Sequence, residues 1–151
     1  MSDAAMIVAG AIACLGLSGA GSALGTGLAA SAAVGAWKKC YAANKPAPFL
    51  LLSFVGAPIT QTLYGMILMF TMLGKVGKVA AGSGVPVLVA GIFAGLAIGL
   101  SALFQGRAAA ACDAQAETNQ GFTNYFAAIG IVETVAIFAM VFALIALGSV
   151  K

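Results

Sequence analysis

GIVETVAIFAM, residues 130–140, sets a single carboxylate inside a run otherwise suited to lipid. Burying that charge at the bilayer centre costs about 2.5–3.5 kcal/mol on insertion scales. Glu133 is also the one charge in the 33-residue interval between Glu117 and Lys151. Charges punctuate the rest of the chain in the same way. There are 34 uncharged residues between Asp3 and Lys38, 29 between Lys45 and Lys75, and 28 between Lys78 and Arg107. A helix needs about 20 apolar residues to cross the hydrocarbon core. Each interval therefore suits one crossing and is too short for two. The spacing predicts four helices, at residues 4–36, 47–75, 84–113 and 120–150. Lipid tolerates helices or closed barrels, and nothing here alternates with period two, so the fold class is all-α.

Composition agrees. The chain is 62% hydrophobic and 7% charged, with a mean hydropathy of +1.09. Soluble domains carry about 25% charged residues, so the chain reads as an integral, multi-pass membrane protein. The net charge of +3 is dispersed along the chain, which leaves no basic face for nucleic acid. Histidine is absent, and imidazole catalysis and His-ligated metals go with it. Cys14, Cys40 and Cys112 have neither metal-ligand nor disulfide spacing. Cys14 reads as a small buried apolar residue. No basic residue precedes the first apolar run, so the expectation is a retained first helix, not a cleaved leader.

The connections carry turn and helix-opening residues. KKCYAANKPAP (residues 38–48) offers Pro46 and Pro48 to open the second helix. GKVGKVAAGSGVP (residues 74–86) is rich in glycine. DAQAETNQG (residues 113–121) is the most polar stretch and reads as the third connection. Lys38, Lys39, Lys45 and Arg107 against Lys75, Lys78 and Lys151 slightly favour a cytoplasmic first and third connection.

The halves resemble each other. GAPITQTLYG (residues 56–65) overlies AIGIVETVAI (residues 128–137) at an offset of 72, so Ile59 meets Ile131, Gln61 meets Glu133 and Thr62 meets Thr134. GSALGTGLAASA (residues 21–32) overlies LSALFQGRAAAA (residues 100–111) at an offset of 79, so Thr26 meets Gln105 and Gly27 meets Gly106. The chain reads as two fused helical hairpins, residues 1–78 and 79–151, with glutamine in the acid position of the first. The first and third helices carry glycine at close spacing, Gly16, Gly19, Gly21, Gly25 and Gly27, then Gly91, Gly95 and Gly99. Such rows let backbones approach. The second and fourth carry bulk, including Phe54, Tyr64 and Phe70, then Phe126, Phe138 and Phe142. Thin helices inside a ring and thick ones outside would use this division. Ordinary four-helix packing would use it as well.

Polar side chains gather at one depth. Gln105 and Glu133 stand at similar distances from the third connection, so antiparallel helices rising 1.5 Å per residue bring them level. Ala57, Thr60, Gln61 and Tyr64 share a face of the second helix. Glu133 supplies carboxylate oxygens, Gln61 and Gln105 amide oxygens, and Thr60 a hydroxyl. Pro58 disturbs its helix and could turn the Ala57 carbonyl inward. Tyr64 could donate its hydroxyl proton to Glu133. One negative charge with about four neutral oxygens suits a hard monovalent cation better than a divalent one. Arg107, two residues from Gln105, faces elsewhere and is expected to snorkel toward the loop end. The plain alternative is a buried structural carboxyl with glutamines as interhelical glue.

Taken with IVET (residues 131–134) and PITQTLYG (residues 58–65), the whole chain resembles the four-helix proteolipid (K or c) subunit of V-type ATPases, in the sodium-binding bacterial branch. The resemblance implies a multi-pass subunit of the bacterial plasma membrane that forms a rotor ring with copies of itself, surrounded by lipid. Its partners would be a membrane stator subunit with a positive side chain and a central-stalk subunit. It implies Na⁺, or alternatively H⁺, as the carried ion and no organic cofactor. The ligands would be Glu133, Gln105, Gln61, Thr60 and the Ala57 carbonyl, with Tyr64 bonding the carboxylate. Ala57 departs from the larger apolar residue usual there. ATP hydrolysis would belong to separate subunits, so the chain is not an enzyme by itself. A self-contained ion transporter or channel-forming bundle is the alternative of another class, and a purely structural assembly protein is a third.

Overall fold

A computed structural model describes residues 1–109 and 111–150. Among these residues the fold is helical, without strands. Helix α1 spans Asp3–Ala42 and α2 spans Leu52–Gly56. Helix α3 spans Thr60–Leu73, α4 Gly84–Ala108, α5 Ala111–Thr118 and α6 Phe122–Ser149. Short 3₁₀ turns, Phe49–Leu51 and Ala57–Ile59, precede α2 and α3. Four segments are long and apolar enough to cross a membrane: Asp3–Ala42, Phe49–Leu73, Gly84–Thr118 and Phe122–Ser149.

The expected four crossings are present, but two boundaries move. Helix α1 continues through Lys38, Lys39 and Cys40 to Ala42, and most of the polar stretch read as the third connection is helix α5. A helix of 40 residues is about 60 Å long, twice the hydrocarbon thickness. Charge marks where a helix leaves lipid, not where it ends. In water, Ala, Lys, Gln and Glu keep helical propensity. The connections shrink accordingly to residues 43–48 and 119–121. Lys151, one of the charges that bear on orientation, lies outside the described residues, as does Ala110 of the third predicted helix.

Helices α1 and α4 lie parallel in the deepest contact of the molecule. Gly21 meets the backbone of Gly99, and Gly25 meets Gly106, closely enough that a Cβ at any of these positions would enter the opposing main chain. Helix α3 packs on α1 with Gly65 against Ser18, Pro58 of the turn before it meets Gly25, and α6 packs on α4 and α3. Its membrane-spanning length buries only Ile129, Ala136 and Leu147 fully. Ile131, Val135, Phe138, Phe142 and Ile145 face outward.

The ends are tied. Asp3 accepts from the Gly82 and Gly84 amides, both at 2.9 Å, joining the starts of α1 and α4. Lys75 Nζ donates to the Val150 carbonyl at 2.9 Å. At the opposite end, Trp37 Nε1 donates to the Pro48 carbonyl at 2.8 Å and Lys39 pairs with Asp113 at 3.0 Å. Phe54 there packs against Phe122 and Phe126, with ring centroids 5.4 and 6.2 Å away. Cys14, Cys40 and Cys112 are free and buried.

Candidate functional site

Pro58 has no amide proton, so it cannot continue an i→i−4 ladder. The chain answers with the 3₁₀ turn Ala57–Ile59, after which Thr60 opens α3. The Ala57 carbonyl accepts the Thr60 backbone amide and lies 3.0 Å from Thr60 Oγ1. The same hydroxyl is 2.6 Å from Glu133 Oε1 and 3.2 Å from Gln61 Oε1. A threonine hydroxyl carries one proton, so it serves one of these three acceptors at a time. Four oxygens thus converge from two helices and a turn.

Tyr64, one turn further along α3, donates to Glu133 Oε1 at 2.7 Å. The other carboxylate oxygen, Oε2, accepts from Gln105 Nε2 at 3.2 Å. That nitrogen is also 3.2 Å from the Ile129 carbonyl. Gln61 Nε2 closes the set, donating to Gln105 Oε1 at 2.7 Å. Gln61 and Gln105 are fully buried. The structure therefore brings together all six positions singled out from the sequence: Ala57, Thr60, Gln61, Tyr64, Gln105 and Glu133.

One atom differs from the expectation. The expected contribution of Gln105 is its amide oxygen, yet it reaches Glu133 with its nitrogen, and its oxygen serves Gln61. A carboxylate is acceptor-only, so the amide presents its donor side to it. Arg107 points away from the site. It is exposed and lies over the Phe104 ring, 5.3 Å from the centroid.

Sequence reading misses Ser101. Its hydroxyl donates to the Val132 carbonyl at 2.8 Å. The available signal is its spacing, since Ser101 precedes Gln105 by four residues and shares its face of α4.

Electrostatically the site is bare. Among the described residues the one ion pair within 4.0 Å is Lys39–Asp113, at the loop end. No described group of three or more His, Cys, Asp or Glu side chains could hold a metal. Neutral donors alone meet Glu133.

Residues 81–146 match the family model for the C subunit of ATP synthase. The match covers less than half of the chain. The matched stretch takes in α4, α5 and most of α6, and with them Gln105 and Glu133. A search of curated proteins gives no match.

Proposed function

We propose that this chain is the rotor-ring subunit of a V-type ATPase and carries Na⁺ across the membrane on Glu133 during ATP-driven rotation. The observation that carries the reading is the convergence of Thr60 and Tyr64 on one oxygen of Glu133, with the Gln61 and Ala57 oxygens within 3.2 Å of the Thr60 hydroxyl. One carboxylate and neutral oxygens form a donor set for a small hard cation of single charge. Na⁺ here is cargo. Gln61 Oε1 already faces Thr60. Gln105 holds the second carboxylate oxygen with its amide nitrogen and would offer its own oxygen to the ion only by giving up its bonds to Gln61 and Ile129.

The mechanism follows from the cost of charge in lipid. Empty and ionised, Glu133 resists exposure to hydrocarbon; paired with Na⁺ or H⁺, the site is neutral and passes through lipid cheaply. Copies of the chain in a ring would turn through lipid only when loaded. A stator subunit with a positive side chain and aqueous access would discharge and reload each site, and a central stalk would couple the ring to ATP hydrolysis elsewhere. With Gln61 in the first hairpin, each four-helix chain carries one such carboxylate, not two. Fewer ions per turn means more free energy per ion, which favours pumping over synthesis.

Carbodiimide labelling of the intact assembly tests the cargo. Millimolar Na⁺ near neutral pH is expected to protect Glu133. Labelling indifferent to Na⁺ but suppressed at high pH would assign the proton instead. Mass measurement of the detergent-purified assembly separates a large ring from a small transporter.

A further inference from the structure

Two side chains of α4 reach backbone carbonyls of α6. Ser101 Oγ donates to Val132 at 2.8 Å, and Gln105 Nε2 lies 3.2 Å from Ile129. They stand four residues apart on α4, and their acceptors stand three apart on α6. That makes a two-point clamp along facing sides of two helices. Val132 immediately precedes Glu133, so the Ser101 contact sits one peptide from the carboxylate's own Cα. It falls where α6 has little apolar packing to define its rotation, since Ile129, Ala136 and Leu147 are that helix's fully buried residues.

The first hairpin supplies an internal control. Ser22 and Thr26 occupy the positions of Ser101 and Gln105 when the halves are overlaid. Ser22 and Ser101 are equally buried, each 5% exposed. The Ser22 and Thr26 hydroxyls have no hydrogen-bond partner. The same serine on the same helical face thus bonds the neighbouring helix in one hairpin and not in the other.

We propose that Ser101 is a positioning residue for Glu133. Through the Val132 carbonyl its hydroxyl fixes the rotation of α6 that aims the carboxylate at Thr60 and Tyr64, and so sets the affinity of the site for its ion. The proposal rests on the ion-carrying reading of Glu133. Ser101 does not touch the ion and acts only through the backbone of α6.

The test is carbodiimide labelling of Glu133 in intact rings of wild type, Ser101→Ala and Ser22→Ala, measured across Na⁺ concentration and pH. Removing one net hydrogen bond is expected to raise the half-protecting Na⁺ concentration of Ser101→Ala about fivefold. Ser22→Ala, which deletes an equally buried hydroxyl with no partner, is expected to match wild type. Equal shifts in both variants would mean general loosening and overturn the proposal, as would wild-type behaviour of Ser101→Ala. If wild-type labelling ignores Na⁺, the sodium reading fails, and the pH of half-labelling becomes the readout, with the same expected contrast between the two variants. Should Ser101→Ala rings fail to assemble, Ser101→Cys keeps the volume and a weak donor. It must then shift the same way by a smaller factor, and a Ser101→Cys ring identical to wild type would overturn the proposal.

Discussion

The two hairpins hold their second helices by different means. Helix α3 buries Gln61, Gly65, Leu68 and Met72 along 14 residues, whereas α6 buries Ile129, Ala136 and Leu147 along 28. Packing locks the helix that carries the amide. The helix that carries the acid is held at its middle by hydrogen bonds from Ser101, Gln105, Thr60 and Tyr64. A helix seated in a dense core resists rotation through many small contacts. One seated on a few polar contacts can exchange them when its charge state changes. The lightly packed helix is thus the one whose carboxylate, in the function proposed above, takes up and releases an ion.

The most severe way to break this contrast is to erase it. Glu133→Gln gives both hairpins an amide at the same place. ATP-driven ²²Na⁺ uptake into vesicles is expected to fall to background, with ring assembly retained. Moving the acid, with Gln61→Glu added to Glu133→Gln, is expected to leave uptake at background. A carboxylate on α3 would be fully buried, as Gln61 is, and it would lack the donor that Tyr64 offers on the α6 side. Recovery of uptake in the double variant would show the hairpins to be interchangeable.

Next in size is the seam that both hairpins share. A Cβ at Gly106 would enter the backbone of Gly25, while a Cβ at Gly130 on α6 meets nothing within the chain. Overpacking costs about 1–3 kcal/mol even where side chains can adjust, and main chain adjusts less. Gly106→Val is expected to lower the yield and melting temperature of the folded protein sharply. Gly130→Val is expected to leave the melting temperature of the single chain near wild type. Equal loss from both, measured by thermal scans in detergent, would show that α6 is packed as tightly as α4.

Tyr64→Phe is a milder cut, removing one donor from Glu133 Oε1 and keeping the ring. Hydrogen bonds to charged groups contribute about 1.5–3 kcal/mol. The half-protecting Na⁺ concentration is therefore expected to rise by about tenfold or more. No change would mean that Tyr64 serves α3 packing alone, which would weaken the view that α6 is held through polar contacts.

Much of this is legible in the sequence because membrane insertion is a harsh constraint. Four uncharged intervals lead directly to four crossings, and a lone Glu133 in lipid points to a site. The helical face shared by Ala57, Thr60, Gln61 and Tyr64 follows from spacing, and Gln105 from counting back from a loop. Helix ends are less legible, because α1 and α5 continue into water where charge no longer terminates them. The end of Gln105 that faces Glu133 depends on which acceptors surround it in space, and residue type alone does not fix that. Ser101 is visible only as one member of a repeated Ser-Ala-Leu. Its role depends on an α6 carbonyl, which no side-chain pattern encodes.

The smallest expected effect tests the rotation of α6 most directly. Thr134 adjoins Glu133 in sequence, and composition alone would rank it beside Thr60 as an oxygen donor. Its hydroxyl instead turns back to the Ile131 carbonyl of its own helix at 2.7 Å and is exposed, whereas Thr60 crosses to Glu133 at 2.6 Å. A threonine bonded to its own helix contributes little there, and surface substitutions stay within about 0.5 kcal/mol. Thr134→Val is therefore expected to move the half-protecting Na⁺ concentration by less than about threefold, the factor that 0.5 kcal/mol allows. Thr60→Val, the same isosteric change, is expected to move it by about tenfold or more. Reversal of that ranking would mean that α6 is turned about its axis from the orientation described, and with it Glu133, Val132 and the Ser101 contact. A helix advances 100° per residue, so Thr134 cannot face the site unless Glu133 leaves it.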